Sequence, residues 1–379
     1  MKKLNIENVE KSMKSFGLSQ SDIAKRLNVS RESVSKWISN YNFPRPRHLL
    51  QLAEVLDLGF NEIVAEQKSE SEPIIAFRKK RSHKIDEEYE NNAKFKGEIL
   101  KKLTPYLPFD TLSRPSSLLN PKNDYKYIQT VVDNIRFKIL NINITTVLEF
   151  KDLIESFQAR NSVIIPVQWG KKTDHANALH IYLPDSMTTW IYLNLDSKIF
   201  DFKFWMAHEL GHIISPDLRE DEAENFADSF AGALLFPKEL ASHEYNKLKI
   251  ISDIGHIINY LKELAKKHVV SPITIFREIN NFAQYNGEKP IELNDEVQIY
   301  KTTANLNKNY KLVSDYLFEP KIIPPNSYIS VLTNEFNTPI FSILRTYIKK
   351  NKSSTALIQN LFDMPYPDAA SLFAELSTT

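Results

Sequence analysis

The stretch Phe204–Ser215 limits what this chain can become more than any other, because it carries His208, Glu209 and His212 in the spacing H-E-x-x-H. On a helix each residue turns by about 100°, so two histidines four apart stack on one face. Glu209 sits roughly 100° round from them, within reach of a water held between the two imidazoles. Two neutral nitrogens and a carboxylate poised as general base are what a zinc hydrolase requires. The flanks Phe204, Trp205, Met206, Leu210, Ile213 and Ile214 are apolar, so the helix is expected to be buried. Histidine and glutamate are costly in such a place unless something compensates them. Satisfied core histidines would give the same string, so the metal reading needs a third ligand.

The chain has no cysteine, which excludes disulfides and thiolate sites and leaves histidine and carboxylate to hold any zinc. After His212, Pro216 breaks a short loop. Ala223, Phe226, Ala227, Phe230, Ala231, Leu234 and Leu235 then recur at helical spacing. Four acids compete at the start of that helix: Glu220, Asp221, Glu222 and Glu224. Glu224 stands four residues before Asp228, so the two share a face; one could bind a metal while the other holds a histidine N–H. Acids also favour a helix N-terminus for its dipole alone, which accounts for some of them.

Across 379 residues two or three domains are expected. Lys and Arg (48) nearly balance Asp and Glu (47), so any polyanion-binding surface must be local. The N-terminus lacks the apolar core of a signal peptide and no apolar run reaches membrane-spanning length. The expectation is a cytoplasmic protein with no membrane partner.

Residues 4–66 read as short helices. Val9, Met13 and Phe16 mark the first, closed by Gly17. Ser19 caps a second over Gln20–Leu27, and Ser30 caps a third over Arg31–Ser39 with Val34, Trp37 and Ile38 inward. So short a turn, with Ala24 at the crossing, is the helix-turn-helix pattern. A helix over His48–Leu56 follows, and another begins near Phe60. A polar linker spans 67–73. A short apolar run, Ile74–Phe77, then precedes a basic cluster through Lys84, and a charged helix over Lys84–Leu103 connects to a loop over 107–123.

From Tyr125 the pattern is mixed. Helices are expected over Asp124–Leu140 and Thr146–Phe157, then strands over Val163–Val167, Leu179–Leu183 and Trp190–Asn194. The stretch 170–177 is the hairpin or loop between the first two strands. Such a sheet would floor a cleft where an extended peptide could add as a strand. Lys238–Lys267 and a segment after Ser271-Pro272 are helical, as are stretches at Pro339–Lys349, Ser354–Leu361 and Asp368–Glu375.

The order L-S-Q-x-x-I-A-x-x-L-x-V-S-x-x-x-V-S-x-W, then N-F-P and L-x-x-L-A-x-x-L, runs from Leu18 to Leu56. It closely resembles the phage-repressor (XRE, Cro/CI) DNA-binding family. The resemblance implies that Gln20 lies near a phosphate and that Arg31, Glu32, Ser33, Ser35 and Lys36 face an operator. Arg45 and Arg47 are candidate backbone contacts, because phosphate neutralisation supplies most nonspecific affinity. It also implies a homodimer on paired half-sites of double-stranded DNA.

A-H-E-L-G-H followed by E-x-x-A-D-x-F-A-x-x-L-L-x-P resembles the ImmA/IrrE metallopeptidase family, whose members are often fused to such a domain. That implies zinc on His208, His212 and Glu224, with Glu209 as general base and Asp228 behind a histidine. The interval between His212 and Glu224 is short and leaves Glu220 and Glu222 as alternative ligands. An oxyanion-stabilising group is also needed, and His175, His180, His243 and Tyr245 are candidates.

The expected architecture is therefore multidomain. An all-α helix-turn-helix domain (1–66) and a linker with its connecting helix (67–123) lead into an α+β zincin-like metallopeptidase domain (124–290). A helical C-terminal region of unassigned role (291–379) follows. The implied function is a regulator that cuts a repressor-like protein or itself under stress or phage attack. The alternative is a transcription factor or antitoxin whose zincin-like domain only senses or supports.

Overall fold

The computed structural model describes residues 4–39, 41–63, 73–76, 87–108, 117–139, 143, 145–170, 178–293, 297–318 and 323–378. The basic cluster expected over 77–84, the linker residues 67–72 and His175 lie outside them. The chain forms two compact units, Met1–Glu72 and Pro73–Thr379.

The first unit is all helix: α1 (Ile6–Ser15), α2 (Gln20–Leu27), α3 (Arg31–Ile38), α4 (Pro46–Leu56) and α5 (Phe60–Ile63). Local chemistry sets these ends. Ser19 and Asp22 form a reciprocal capping box, Ser30 accepts from the Ser33 amide, and Pro46 opens α4. Asn28 ends α2 in the left-handed region (φ 53°), so the chain reverses at once into α3. Val9, Ile23, Leu27, Val34, Leu52, Leu56 and Ile63 fill the core. Phe16 departs from the expected apolar face and is 53 % exposed. Ser12 is buried in its stead, where its hydroxyl donates to the Leu56 carbonyl.

The second unit opens with β1 (Ile74–Ala76) and α6 (Glu87–Leu103), which runs into a 3-10 turn. Then come α7 (Tyr125–Asn134), extended by a π turn over Ile135–Ile139, and α8 (Phe150–Gln158). Strands β2 (Ser162–Val167), β3 (Ala178–Leu183) and β4 (Thr188–Asn194) follow, then α9 (Ile199–Ile214) and α10 (Glu220–Leu235). The helices α11 (Lys238–Leu248), α12 (Ile254–His268), α13 (Pro272–Tyr285), α14 (Val297–Lys308) and α15 (Val313–Leu317) come next. The last are α16 (Pro325–Phe336), α17 (Ile340–Lys350), α18 (Thr355–Phe362) and α19 (Tyr366–Ser377).

The sheet order is β1-β3-β4-β2, with β2 parallel to β4 and the other pairs antiparallel. Strand β4 therefore lies between β2 and β3, so those two strands are not neighbours; residues 171–177, expected as the hairpin or loop between them, lie outside the described residues. Every β4 residue is buried, as a central strand covered on both faces must be. Ala76 pairs with His180, so the short run after the linker occupies the outer edge of β3.

The described residues of α6 and of the C-terminal stretch 291–378, set apart by sequence, share one core with the sheet; a single apolar cluster runs from Ala93 to Leu376. Lys96 of α6 shows how. It is buried, pairs with Asp363 at 2.7 Å, donates to the Asn360 carbonyl at 2.8 Å and lies over the Tyr192 ring. One cation ties α6, α18 and β4 together.

Glu278 of α13 is buried against α10, where a Cβ on Gly232 would stand 2.5 Å from its Oε1. Burial pushes its carboxyl up to about 8, against a partial offset from Asn281. Below that value the folded state keeps a proton that the unfolded chain, with the ordinary 4.5, has released. Stability should thus decline as pH rises between the two, by up to about 1.4 kcal/mol per pH unit. Glu278→Gln is expected to flatten that decline in urea titrations from pH 5 to pH 8; an unchanged slope would disprove it.

Candidate metal centre

Helix α9 is apolar on nearly every face, and its buried Lys203 donates to the His268 carbonyl at 2.7 Å. The chain turns at Ser215 and returns as α10. The two helices meet at Gly211, where an added Cβ would lie 2.9 Å from the Ala227 Cα. This close approach brings the first turns of α10 over the His208 and His212 face.

The donors converge. His208 Nε2 and His212 Nε2 are 3.0 Å apart, and the Glu224 carboxylate stands 3.5 Å from the first and 3.3 Å from the second. These three residues form a group whose ligand atoms all lie within 4.8 Å of one another. Ligands at about 2.0–2.1 Å from a tetrahedral zinc stand roughly 3.3–3.4 Å apart, so the donor set fits that ion in chemistry and spacing. Asp228 accepts from His208 Nδ1 at 2.9 Å, which leaves the Nε2 lone pair facing the other donors. Glu220, Asp221 and Glu222 are exposed at the start of α10 and outside the group.

Electrostatics follow from this crowding. Burial works against a charged His208, yet Asp228 and Glu224 outweigh it and hold the imidazole up at about 9. Burial likewise opposes the Glu224 charge, but both histidines bring its carboxyl down to about 2. Glu209 is buried, and that burial raises its carboxyl despite the two imidazoles; its Oε2 has no hydrogen-bond partner among the described residues. Trp205 sets its ring edge-on to His208 at 5.3 Å between centroids and walls one side of the site.

Three of the four candidate oxyanion groups, His180, His243 and Tyr245, are among the described residues, and they separate cleanly. The His243 side chain is 65 % exposed on α11, and Tyr245 donates to the Lys289 carbonyl. His180 alone faces α9, with its ring 6.0 Å from that of His212. Burial, then His212 and His208, holds its imidazole down to about 3, so it is neutral at physiological pH. The signal available in sequence was one polar residue within an apolar strand; only the register shows which face it takes.

In the first unit, Arg31, Glu32 and Ser35 project from α3 into solvent, and Ser33 and Lys36 are half-buried. Lys36 pairs with Glu32 at 2.7 Å, and Ser33 is engaged by the Ser30 cap. Gln20 opens α2 half-buried, while Arg45 and Arg47 are exposed at the start of α4. All lie on α2, α3 and the start of α4, as the helix-turn-helix reading requires.

A short-turn helix pair in one unit, and two histidines with a glutamate on adjoining helices in the other, define a DNA-binding module joined to a zincin-like domain. Residues 9–63 match the helix-turn-helix family model, and residues 162–279 match that of the IrrE N-terminal-like domain, a metallopeptidase family. The chain thus carries a stretch matched by an XRE-type helix-turn-helix domain, followed by one matched by an ImmA/IrrE-type metallopeptidase domain. No curated protein and no solved structure matches it.

Proposed function

We propose that the chain is a DNA-binding regulator whose second unit hydrolyses a peptide bond in a repressor-like protein, or in itself, during a stress or phage response. The observation that carries this is Glu209, buried with a free Oε2 beside the converging donors of His208, His212 and Glu224. Zinc held by those three residues would polarise a peptide carbonyl and acidify water. Glu209 accepts a proton from the attacking water, and its raised affinity for protons suits passing that proton on to the departing nitrogen. The products balance: one water is consumed, one carboxylate and one amine are released. Asp228 holds His208 in the ligating tautomer throughout.

Elemental analysis of the full chain should give one zinc per chain. Incubation with the proteome of its own host should create new protein N-termini that vanish on chelation and return with zinc. A chain without metal under non-chelating conditions, or the same N-termini in both samples, would defeat the reading.

The DNA arm is tested separately. Arg31→Ala should weaken binding to operators selected from genomic fragments by roughly 5- to 150-fold and relax specificity. Arg45→Ala should lower affinity evenly and reduce the salt slope by about one. Equal affinity in both variants would favour a docking role for this unit.

A further inference from the structure

His180 is the buried polar group near the centre that the mechanism above leaves unused. It is 6 % exposed, and neither ring nitrogen has a hydrogen-bond partner among the described residues. Leaving buried polar atoms unsatisfied costs free energy, so a histidine in an otherwise apolar strand face needs a reason to be there. The position is fixed on both sides. In the sheet His180 pairs with Ile191 of β4 and with Ala76 of β1, and across the layer its ring meets that of His212. It does not belong to the donor group formed by His208, His212 and Glu224. It therefore adjoins the centre without completing it.

We propose that His180 is a catalytic residue that donates a ring N–H to the carbonyl oxygen of the scissile peptide as that oxygen gains negative charge. This rests on the hydrolytic reading and names its missing oxyanion donor. An imidazole ring offers an N–H for that role, and its seat on β3, an inner strand between β1 and β4, keeps it aimed. Glu209 sits on α9 and His180 on β3, so the two groups come from different elements packed against each other. A carbonyl placed between these elements would meet a base on one and a donor on the other.

The test uses zinc-loaded full chain and inorganic phosphate, a tetrahedral oxyanion that imitates the developing charge. Zinc affinity is measured by chelator competition and phosphate affinity by calorimetry, for wild type, His180→Phe and His180→Gln. His180→Phe should keep zinc affinity and lose phosphate affinity roughly tenfold or more, and His180→Gln, which retains an N–H, should lose less. Unchanged phosphate affinity in His180→Phe overturns the proposal, as does a parallel loss of zinc, which would make His180 a ligand or a packing residue. If wild type binds phosphate through His180 but yields no zinc-dependent cleavage, the hydrolytic reading fails and the donor assignment stands as an anion site.

Discussion

Replacing Glu209 by glutamine should leave zinc bound and reduce peptide hydrolysis by about 10²–10⁴-fold, the usual contribution of a positioned general base. Zinc should remain because the donor atoms placed to hold it belong to His208, His212 and Glu224. Folding should persist as well. Glutamine has the same shape, and the carboxylate it replaces is one that burial already disfavours in its charged form. The variant is also the natural trap: it would hold its protein substrate without cutting it, and the retained protein would identify the target. Zinc lost together with activity would make Glu209 a ligand. Undiminished cleavage would assign the hydrolysis to another group.

The second large effect is expected from Gly211→Val. An added Cβ at this position meets the Ala227 Cα at 2.9 Å, the Ala227 Cβ at 3.1 Å and Phe230 at 3.2 Å. The nearest atom is backbone, so relief requires α9 and α10 to separate. Overpacking of this kind costs about 1–3 kcal/mol. Glu224 is three residues from Ala227, so the shift carries its carboxylate, the proposed third ligand, away from the histidines. A lower Tm is expected together with at least a tenfold loss of zinc affinity, since disturbing even outer contacts of a metal site costs about 10- to 100-fold. Wild-type values for both would show that the helices have slack at this point.

Much of this could be read from the sequence where the controlling physics is local. Ser19 and Ser30 mark the starts of α2 and α3 because a cap acts within three residues. His208 and His212 come together through helical periodicity alone. Glu224 needed one more step, its four-residue spacing from Asp228, and four acids competed until the return of α10 brought one of them to the histidines. Where the cause is distant, sequence was silent. The face taken by His180 depends on β3–β4 register, and a slip of one residue would point it away. Phe16 fits an apolar stripe but stays exposed, while Ser12 is buried with its hydroxyl on the Leu56 carbonyl of another helix. The helices α14 to α16 carry no cap or period strong enough to stand out, and their place in the core comes from contacts across the chain.

The bond between Lys96 and the Asn360 carbonyl spans 264 residues of chain. At roughly 5–20 residues per second of synthesis, Lys96 waits about 13 to 53 seconds for its partner to be made. The helix-turn-helix unit has its own core and is complete long before that moment. A nascent chain thus carries a finished first unit well before α18 is made and the Lys96 contacts of the second unit can close. Order of appearance alone separates in time the folding of the two units.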